Sequence, residues 1–506
     1  MPRNVKRPTN TDPVHFASTG TPGLDDILMG GLARNRLYLV EGVPGAGKTT
    51  LAMKFLLEGA RRGEPVLYIT LSETAEELKA VADAHGWDLT GVTVRELLPQ
   101  EDTLNADEQY TMFHPSEVEL ANTTKLILQD VDSLKPTRVV FDSLSELRLV
   151  AGNPLRFRRQ ILALKQFFAG RKATVILLDD MTASDHDLHV QSIAHGVILL
   201  QQLNPEYGSE RRRLRVVKYR GSEFRGGHHD YLIRKGGLDV FPRLVASEHR
   251  PVMKTAQLRS EVPALDALMG GGIEEGTSTL IIGGAGTGKS TIAAQVCAAA
   301  AGRGQKAILF IFDESPNTLF SRCTGVGVRL VEHNEAGLVR VVQVDPAELS
   351  PGEFTHQVRE AVEDWGATIV VIDSLNGYLN AMPEERFLTA QLHEMLMYMN
   401  QQGVASILIG AHQGVIASQM KMPVDASYLA DAVVLLRYFE SRGEVRQAIS
   451  VVKKRGGVHE RTIREFAMGP DGIRVGETLR HFRGVLTGVP VYEGPLDPMV
   501  ATEQPQ

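Results

Sequence analysis

The sequence has few cysteines: only Cys297 and Cys323 occur among 506 residues, and they do not form a metal-type pair. A disulfide framework and a zinc site are therefore not encoded, and we interpret both thiols as packing residues in a reducing compartment. No run of 18 apolar residues occurs, and the amino terminus MPRNVKRPTN lacks the apolar segment of an export signal. These absences predict a cytoplasmic protein without a membrane span.

An excess of positive charge is also absent, because the formal net charge is −7. This balance argues against a surface devoted to the nucleic-acid backbone, although a local basic groove stays open. The one basic run that favours such a groove is RRRLRVVKYR, beginning at Arg211. A chain of 506 residues exceeds what one hydrophobic core usually supports, so two domains of roughly 250 residues are expected.

The two halves of the chain repeat each other. The segment LDDILMGGLARNRLYLVEGVPGAGKTT from Leu24 aligns without gaps with LDALMGGGIEEGTSTLIIGGAGTGKST from Leu265, an offset of 265 − 24 = 241 residues. The same offset pairs Lys48 with Lys289 and Glu73 with Glu314. The sequence therefore predicts one domain duplicated in tandem.

Each copy has the order of an α/β domain. A β-rich run leads into a glycine loop, an apolar-periodic helix and further apolar strands, which predicts a mostly parallel sheet flanked by helices. Strands of antiparallel type close each copy. The predicted boundaries are an amino-terminal arm (1–14), a first domain (15–245), a linker (246–260), a second domain (261–490) and a disordered tail (491–506).

Two glycine loops carry the clearest functional signal. Residues 42–49 (GVPGAGKT) and 283–290 (GGAGTGKS) both satisfy G-x-x-x-x-G-K-[ST]. This pattern lets backbone N–H groups and a helix amino terminus surround phosphates, while the Lys reaches the β/γ oxygens and the hydroxyl reaches Mg²⁺. The predicted ATP contacts are Gly45, Ala46, Gly47, Lys48, Thr49, Thr50, Gly286, Thr287, Gly288, Lys289, Ser290 and Thr291.

Acidic residues follow two later apolar strands. Asp142 and Asp373 fit the position of a carboxylate that holds Mg²⁺ through water, together with Thr49 and Ser290. The alternative is that each Asp caps the following helix. Glu73 and Glu314 lie 25 residues after the P-loop lysines and are candidates for the base that polarises an attacking water. Their alternative role is a favourable charge at the start of a helix.

Paired cations occupy a late strand in each copy: Lys218 and Arg220, and Lys453 and Arg455. Their spacing places both cations of a pair on one face of the strand. One interpretation is an edge strand blunted by charge. The other is that these cations reach the γ-phosphate bound by a neighbouring subunit, as arginine fingers do, which would make hydrolysis depend on assembly.

The chain resembles the KaiC family, double-domain relatives of RecA that include a circadian clock ATPase. Beyond the two glycine loops, the resemblance rests on GWDL at Gly86, the K-x-R-G strands, IDSL at Ile372 and HFRGVLTGVP near the end. It implies hexameric rings with ATP held between subunits, slow hydrolysis in the first domain, and Ser/Thr autokinase and phosphatase behaviour in the second.

The chain departs from the family pattern at two points. The adjacent catalytic glutamates of the family appear here as Ser72-Glu73 and Asp313-Glu314, so Asp313 is an additional catalytic candidate in the second domain. The Ser-Thr phosphorylation pair aligns with Ser427-Tyr428, which leaves Ser427 as the matching acceptor. His459 occupies a nucleotide-contacting position of the family, against the alternative of a packing or solvated histidine.

These observations predict a Mg-ATP-hydrolysing ring of identical subunits with a signalling or clock-like role, unknown protein partners and possible autophosphorylation. Two rivals remain. A recombinase- or helicase-like DNA motor has the same nucleotide chemistry, but the acidic balance and the missing DNA-binding module oppose it. A scaffold assembled by nucleotide would keep one loop occupied and inactive.

Overall fold

The computed structural model describes residues 15–97, 129–181, 188–205, 208–249, 256–380, 387–411, 428–441, 443–486 and 490–494. The chain divides into two compact units between Arg243 and Leu244. The predicted arm (1–14) lies outside the described residues. None of the helices in the described segments combines the length and the hydropathy needed to cross a bilayer.

The first unit is built on one large sheet of the order β11-β10-β9-β8-β3-β7-β6-β4-β5. Neighbouring strands pair in parallel from β8 through β3, β7, β6 and β4 to β5. On the other side of β8, the strands β9, β10 and β11 continue the sheet with antiparallel pairing. The strands of this unit are β1 (Phe16–Ala17), β2 (Leu32–Ala33), β3 (Leu37–Gly42), β4 (Val66–Thr70), β5 (Val92–Glu96), β6 (Arg138–Asp142), β7 (Thr174–Asp179), β8 (Gly196–Leu203), β9 (Arg211–Tyr219), β10 (His229–Arg234) and β11 (Gly237–Phe241). Its helices are Pro22–Ile27, Lys48–Arg61, Ala75–His85, Leu144–Ala151, Pro154–Gly170 and Leu188–Ile193.

The second unit repeats this topology strand for strand, with the sheet order β16-β15-β17-β18-β14-β19-β20-β21-β22. Its strands are β12 (Gln257–Leu258), β13 (Ile273–Glu274), β14 (Ser278–Gly283), β15 (Ala307–Ile311), β16 (Val339–Gln343), β17 (Ile369–Asp373), β18 (Ala405–Ala411), β19 (Ala432–Ser441), β20 (Glu444–Lys454), β21 (Arg464–Gly469), β22 (Gly472–Thr478), β23 (Phe482–Arg483) and β24 (Val491–Tyr492). Its helices are the 3-10 turn Ala246–Glu248, then Pro263–Leu268, Lys289–Gly302, Pro316–Gly325, Leu330–Glu335, Pro351–Glu363, Leu375–Asn380 and Leu388–Gln401. The predicted class, two tandem α/β domains with mostly parallel sheets and late antiparallel strands, is confirmed.

Both faces of each parallel region are covered by helices, which is why its strands are almost continuously apolar. Alternate residues of β3 separate into two cores: Tyr38 and Val40 pack with the helix Lys48–Arg61, whereas Leu37 and Leu39 pack with the helices on the opposite face. The second unit has the same two layers. Cys297 and Cys323 are both buried in one of them as free thiols, as a packing role requires.

The borders of the second unit differ in detail from the sequence boundaries. Within the predicted linker, the backbone N–H of Ala246 donates to Glu394, 3.0 Å away, and the His249 ring packs edge-on against Tyr398. At the other border, β24 pairs with β23. The first residues of the segment predicted as a disordered tail therefore lie in a strand, and residues 495–506 lie outside the described part.

Candidate nucleotide sites

The first glycine loop joins the carboxyl end of β3 to the helix Lys48–Arg61. Gly45 and Gly47 have φ angles of 81° and 87°, a conformation that residues with a side chain rarely adopt. A Cβ at Gly47 would also lie 2.8 Å from the end of the Ile233 side chain, so a larger residue there would have to displace that side chain as well as adopt the strained φ angle. Ala46, Lys48 and Thr50 are buried and Thr49 is partly buried, which fixes the start of the helix.

The lysine of this loop lies among oxygen atoms. Lys48 Nζ donates to the carbonyls of Gly42 and Val43 at 2.8 and 3.0 Å, and it forms an ion pair with Asp180 at 2.8 Å. Asp180 directly follows β7, which pairs in parallel with β3. The carboxyl ends of these two strands therefore bring an ammonium and a carboxylate together at one edge of the sheet.

The predicted metal residues of the first unit are in contact. The Thr49 hydroxyl donates to Asp142 Oδ2 at 3.2 Å, and the Tyr68 hydroxyl donates to the same oxygen at 2.5 Å. Burial raises the pKa of Asp142, with hydrogen bonds from Tyr68 and Thr49 acting in the opposite direction. The helix after β6 is preceded by Ser143 as its cap position, so the alternative role of Asp142 as a helix cap is not supported.

Glu73 lies just before the helix Ala75–His85. That helix is capped by Thr74 and Glu77, each of which hydrogen-bonds the other's backbone N–H, so Glu73 is not needed for capping. One of its oxygens, Oε2, is buried and accepts no hydrogen bond from the described residues. Burial raises the pKa of Glu73, and the negative charges of Asp142, Glu77 and Asp180 raise it further.

The second glycine loop has the same backbone form, with φ angles of 77° at Gly286 and 93° at Gly288. Lys289 Nζ donates to the carbonyl of Gly284 at 2.7 Å, and the Thr287 hydroxyl donates to the same carbonyl at 2.8 Å. Lys289 and Thr291 are buried. Asp373 has a pKa that burial raises, while a hydrogen bond with Ser290 acts against that shift. Ser290 and Asp373 thus reproduce the contact between Thr49 and Asp142.

The acidic residues of the second unit have different partners. Glu314 accepts from both Nη atoms of Arg322, each at 2.7 Å. Asp313 accepts from the Ser374 hydroxyl at 2.5 Å, and Ser374 also receives the backbone N–H of Gly377. Ser374 therefore caps the start of the helix Leu375–Asn380, which was the alternative role for Asp373. The Asp-Ser peptide bond is cis in both units.

The paired cations lie at the opposite end of the sheet from the glycine loop of their own unit. Lys218 pairs with Val197 in the register, and the Arg220 N–H donates to His195, whose own N–H donates to Leu37. Arg220 is therefore level with the first residue of β3, five positions before Gly42, or about 16 Å of strand. The strands that carry the cation pairs, β9 and β20, lie inside their sheets, but β10 pairs with β9 only at residues 212–214 and β21 pairs with β20 only at residues 447–449. Within the described residues, the cations therefore lie on strand ends that are paired on one side, and the edge-strand interpretation stays open.

The cations of both units donate to backbone carbonyls in the residues just before β8 and β19, the strands that lie beside β3 and β14 on the antiparallel side of each sheet. Lys218 reaches the carbonyl of Gln191 at 2.6 Å, and Arg220 reaches that of Ser192 at 2.8 Å. In the second unit Lys453 donates to Ala430 at 2.7 Å. Arg455 is exposed; it donates to the carbonyl of Tyr428 at 2.9 Å and pairs with Asp431 at 3.2 Å.

Two candidates remain without a described site. Ser427 lies outside the described residues, directly before the exposed Tyr428. His459 is partly buried beyond the end of β20, near Gly270.

Sequence reasoning missed three neighbours of the predicted residues, namely Tyr68, Asp180 and Arg322. For Arg322 the sequence offers only a spacing: it lies eight residues after Glu314, in the second turn of the helix that starts at Pro316.

Comparison with known proteins gives one consistent answer. A family model described as KaiC ATPase matches residues 17–245 and again residues 258–480. The circadian clock protein KaiC3 of Synechocystis sp. is 25% identical over 95% of this chain and 96% of its own length. The circadian clock oscillator protein KaiC of Thermostichus vulcanus is 26% identical, over 97% of this chain and 95% of its own. The chain therefore belongs to the KaiC family of ATPases, with one RecA-like family domain in each half.

Proposed function

We propose that the protein binds and hydrolyses Mg-ATP at both glycine loops, within a ring of identical subunits. The observation that carries this proposal is the repeated group of a buried lysine, a helix-start hydroxyl and a strand-end carboxylate: Lys48, Thr49 and Asp142 in one unit, and Lys289, Ser290 and Asp373 in the other. Hydroxyl and carboxylate oxygens are the ligands that Mg²⁺ takes in nucleotide sites, so the residues fit the ion.

Each of these residues has a defined role in the proposal. The glycine-loop N–H groups and the lysine ammonium bind the phosphates, and the hydroxyl and carboxylate orient the magnesium ion. When bound, Mg²⁺ neutralises the charge that develops on the transferred phosphoryl group. Glu73 and Glu314 take the proton of the attacking water, and Asp313 supports that role in the second unit.

The position of the cation pairs supports assembly. Arg220 and Arg455 are level with the start of the glycine-loop strand, far from the loop of their own unit. A side chain extending from there reaches a nucleotide only if that nucleotide is bound by another copy. We therefore assign Lys218, Arg220, Lys453 and Arg455 to the nucleotide of the adjacent subunit, in a ring that is hexameric by analogy with the family. His459 is proposed as a further contact in the second domain.

Autophosphorylation of Ser427 by the second domain is the finer part of this proposal. Its motivation is the alignment of Ser427 with the family's phosphorylation pair, a few residues before Asp431. Phosphopeptide mapping after incubation with Mg-ATP should find phosphate on residues 425–431. Its absence during active ATP turnover would remove the kinase part and leave the ATPase part intact.

The DNA-motor alternative has less support in the structure. The basic run at Arg211 lies on β9, an interior strand, and its arginines have acidic neighbours: Arg212 contacts Glu210, and Arg213 contacts Asp230 at 3.4 Å. Paired arginines contribute little to a free basic surface. Stimulation of ATP turnover by DNA, with a steep salt dependence, would restore this alternative.

The test combines particle size with phosphate release. Wild-type protein should assemble with Mg-ATP and release phosphate, and Lys48→Ala and Lys289→Ala should each lower the turnover of their own site by about 100-fold or more. Arg220→Ala should reduce first-site turnover while leaving nucleotide binding by the isolated subunit unchanged. No nucleotide binding at either loop, or full turnover by dispersed monomers, would contradict the proposal.

A further inference from the structure

A bidentate ion pair holds the candidate base of the second site. Arg322 and Glu314 meet through two hydrogen bonds of 2.7 Å, and both side chains are partly buried. A guanidinium and a carboxylate joined in this way have a fixed relative orientation, because two parallel bonds remove rotation about either one. Glu314 is therefore held in one position by its own domain.

The first site lacks this pair. The 241-residue offset aligns Arg322 with Val81, which lies on the helix Ala75–His85 and is 37% exposed. Glu73 has an oxygen that is buried without a hydrogen bond from the described residues, and its pKa is raised. The two candidate bases thus share a position in the fold, and Val81 in the first unit occupies the position of Arg322 in the second.

Arg322 also lies within electrostatic reach of the phosphate-binding group. Burial lowers the pKa of Lys289, Asp373 acts against that shift, and the charge of Arg322 lowers it further. The guanidinium is therefore a part of the second site rather than a remote surface charge.

A general base works by pointing a lone pair at a proton and accepting it. The two hydrogen bonds from Arg322 engage both oxygens of Glu314 and fix the directions in which their remaining lone pairs point, so the carboxylate cannot turn freely toward an attacking water. We propose that Arg322 is a positioning residue that restrains Glu314 and thereby slows water activation in the second site. This inference rests on the proposed function of Glu314 as a base.

The experiment isolates the second site by silencing the first with Glu73→Gln. In that background, Arg322→Val installs the residue of the first domain and should raise kcat for phosphate release roughly tenfold, the worth of one charge-assisted interaction. KM for ATP should change less than kcat. Adding Glu314→Gln should cancel the gain, because the effect passes through that carboxylate. Arg322→Lys, which keeps the positive charge but cannot form the two parallel hydrogen bonds, should give an intermediate rate.

A matched variant builds the restraint where it is missing. With the second site silenced by Glu314→Gln, Val81→Arg should lower first-site kcat while the same preparation still binds nucleotide and keeps its thermal unfolding midpoint. This variant provides an independent test should Arg322→Val fail to fold.

The outcomes separate the inference from the function it rests on. An unchanged or lower kcat for folded Arg322→Val, with Glu73→Gln still reducing total turnover, overturns the restraint alone. Wild-type protein that releases no phosphate with Mg-ATP overturns the proposed function instead.

Discussion

The two nucleotide sites differ around a common centre. Both units keep the glycine loop, its lysine and the strand-end aspartate, but their neighbours carry different charges. In the first site Asp180 pairs with Lys48, and the strand register places Ala411 at the corresponding position of the second. The second site has Arg322 where the first has Val81. Duplication has kept the residues proposed to bind phosphate and changed the charged residues around the proposed bases.

This difference predicts a division of labour. The first site has a glutamate without the bidentate ion pair and with the Asp180 carboxylate nearby, which favours proton abstraction. The second combines a restrained glutamate with an additional cation, which favours holding a triphosphate.

The first prediction concerns the two glutamates themselves. Glu73→Gln should lower first-site turnover by about 100-fold, the usual contribution of a positioned base, and should remove most of the phosphate release of the whole protein. Glu314→Gln should remove only a small part. Steady-state phosphate release from the two variants, at matched protein concentration, measures this. A larger loss from Glu314→Gln would reverse the assignment.

The second prediction concerns Arg138, a buried charge at the position that Ile369 occupies in the second unit. Arg138 is fully buried; it contacts Glu64 at 2.5 Å, donates to the carbonyls of Ser18 and Phe55, and lies over the Phe55 ring. Burial alone would raise the pKa of Glu64, but hydrogen bonds from Arg138 and Arg34 outweigh it and lower the pKa. Arg138→Ala leaves the carbonyls of Ser18 and Phe55 without this donor and removes one of the two arginine partners of Glu64, so it should destabilise the first unit by about 2–4 kcal/mol.

The two tryptophans allow this loss to be assigned to one unit. Trp87 lies in the first unit and Trp365 in the second, so denaturant unfolding of Trp365→Phe and Trp87→Phe proteins reports each unit separately. The control is the double variant Arg138→Ile with Glu64→Gln, which introduces the second unit's Ile369 and Gln305 and removes both charges together. It should recover part of the lost stability, because isoleucine refills some of the space of the Arg138 side chain and the glutamine removes the carboxylate charge. An equal loss of stability in Arg138→Ala and in the double variant would show that the charge pair itself is not responsible.

The sequence predicts the fold well because two strong signals coincide. Continuous apolar strands such as β3 and β14 indicate a sheet covered on both faces, and the gap-free duplication shows that whatever holds for one half holds for the other. The glycine loops could be located for the same reason, since their conformation depends on local residues. Asp142 and Asp373 followed from their position at the ends of strands.

The neighbours of these residues could not be predicted, because they depend on which strands are adjacent. Tyr68 reaches Asp142 because β4 pairs with β6, and Asp180 reaches Lys48 because β7 pairs with β3, more than 130 residues away. Sequence alternation gives the face of each strand but not the strand order. To predict the ion pair of Arg322 with Glu314, one would need to know which face of the short helix Pro316–Gly325 turns toward Glu314.

The third prediction concerns pH. Burial and the charges of Asp142, Glu77 and Asp180 raise the pKa of Glu73 above its ordinary value of 4.5. The base is active when ionised, so first-site kcat/KM should fall on acidification with a midpoint above that value. Val81→Arg supplies a nearby positive charge and should move the fall to lower pH. The measurement is kcat/KM across pH in the Glu314→Gln background at saturating Mg²⁺. If Val81→Arg does not move the midpoint of the fall, the group that titrates is not Glu73.

The smallest effect is expected from a single hydroxyl. The Tyr68 hydroxyl donates to Asp142 Oδ2, and the 241-residue offset places Leu309 at the corresponding position of the second unit. Tyr68→Phe removes a donor that holds the carboxylate in one orientation, so the Mg²⁺ concentration for half-maximal first-site turnover should rise about threefold to tenfold. The matched control is Tyr38→Phe, which deletes an equally buried phenol hydroxyl that donates to the Ala33 carbonyl instead. Because that carbonyl is remote from Asp142 in the sheet, the control should leave the Mg²⁺ requirement unchanged. An equal rise in both variants would mean that general loosening of the first core, rather than the orientation of Asp142, sets the metal requirement.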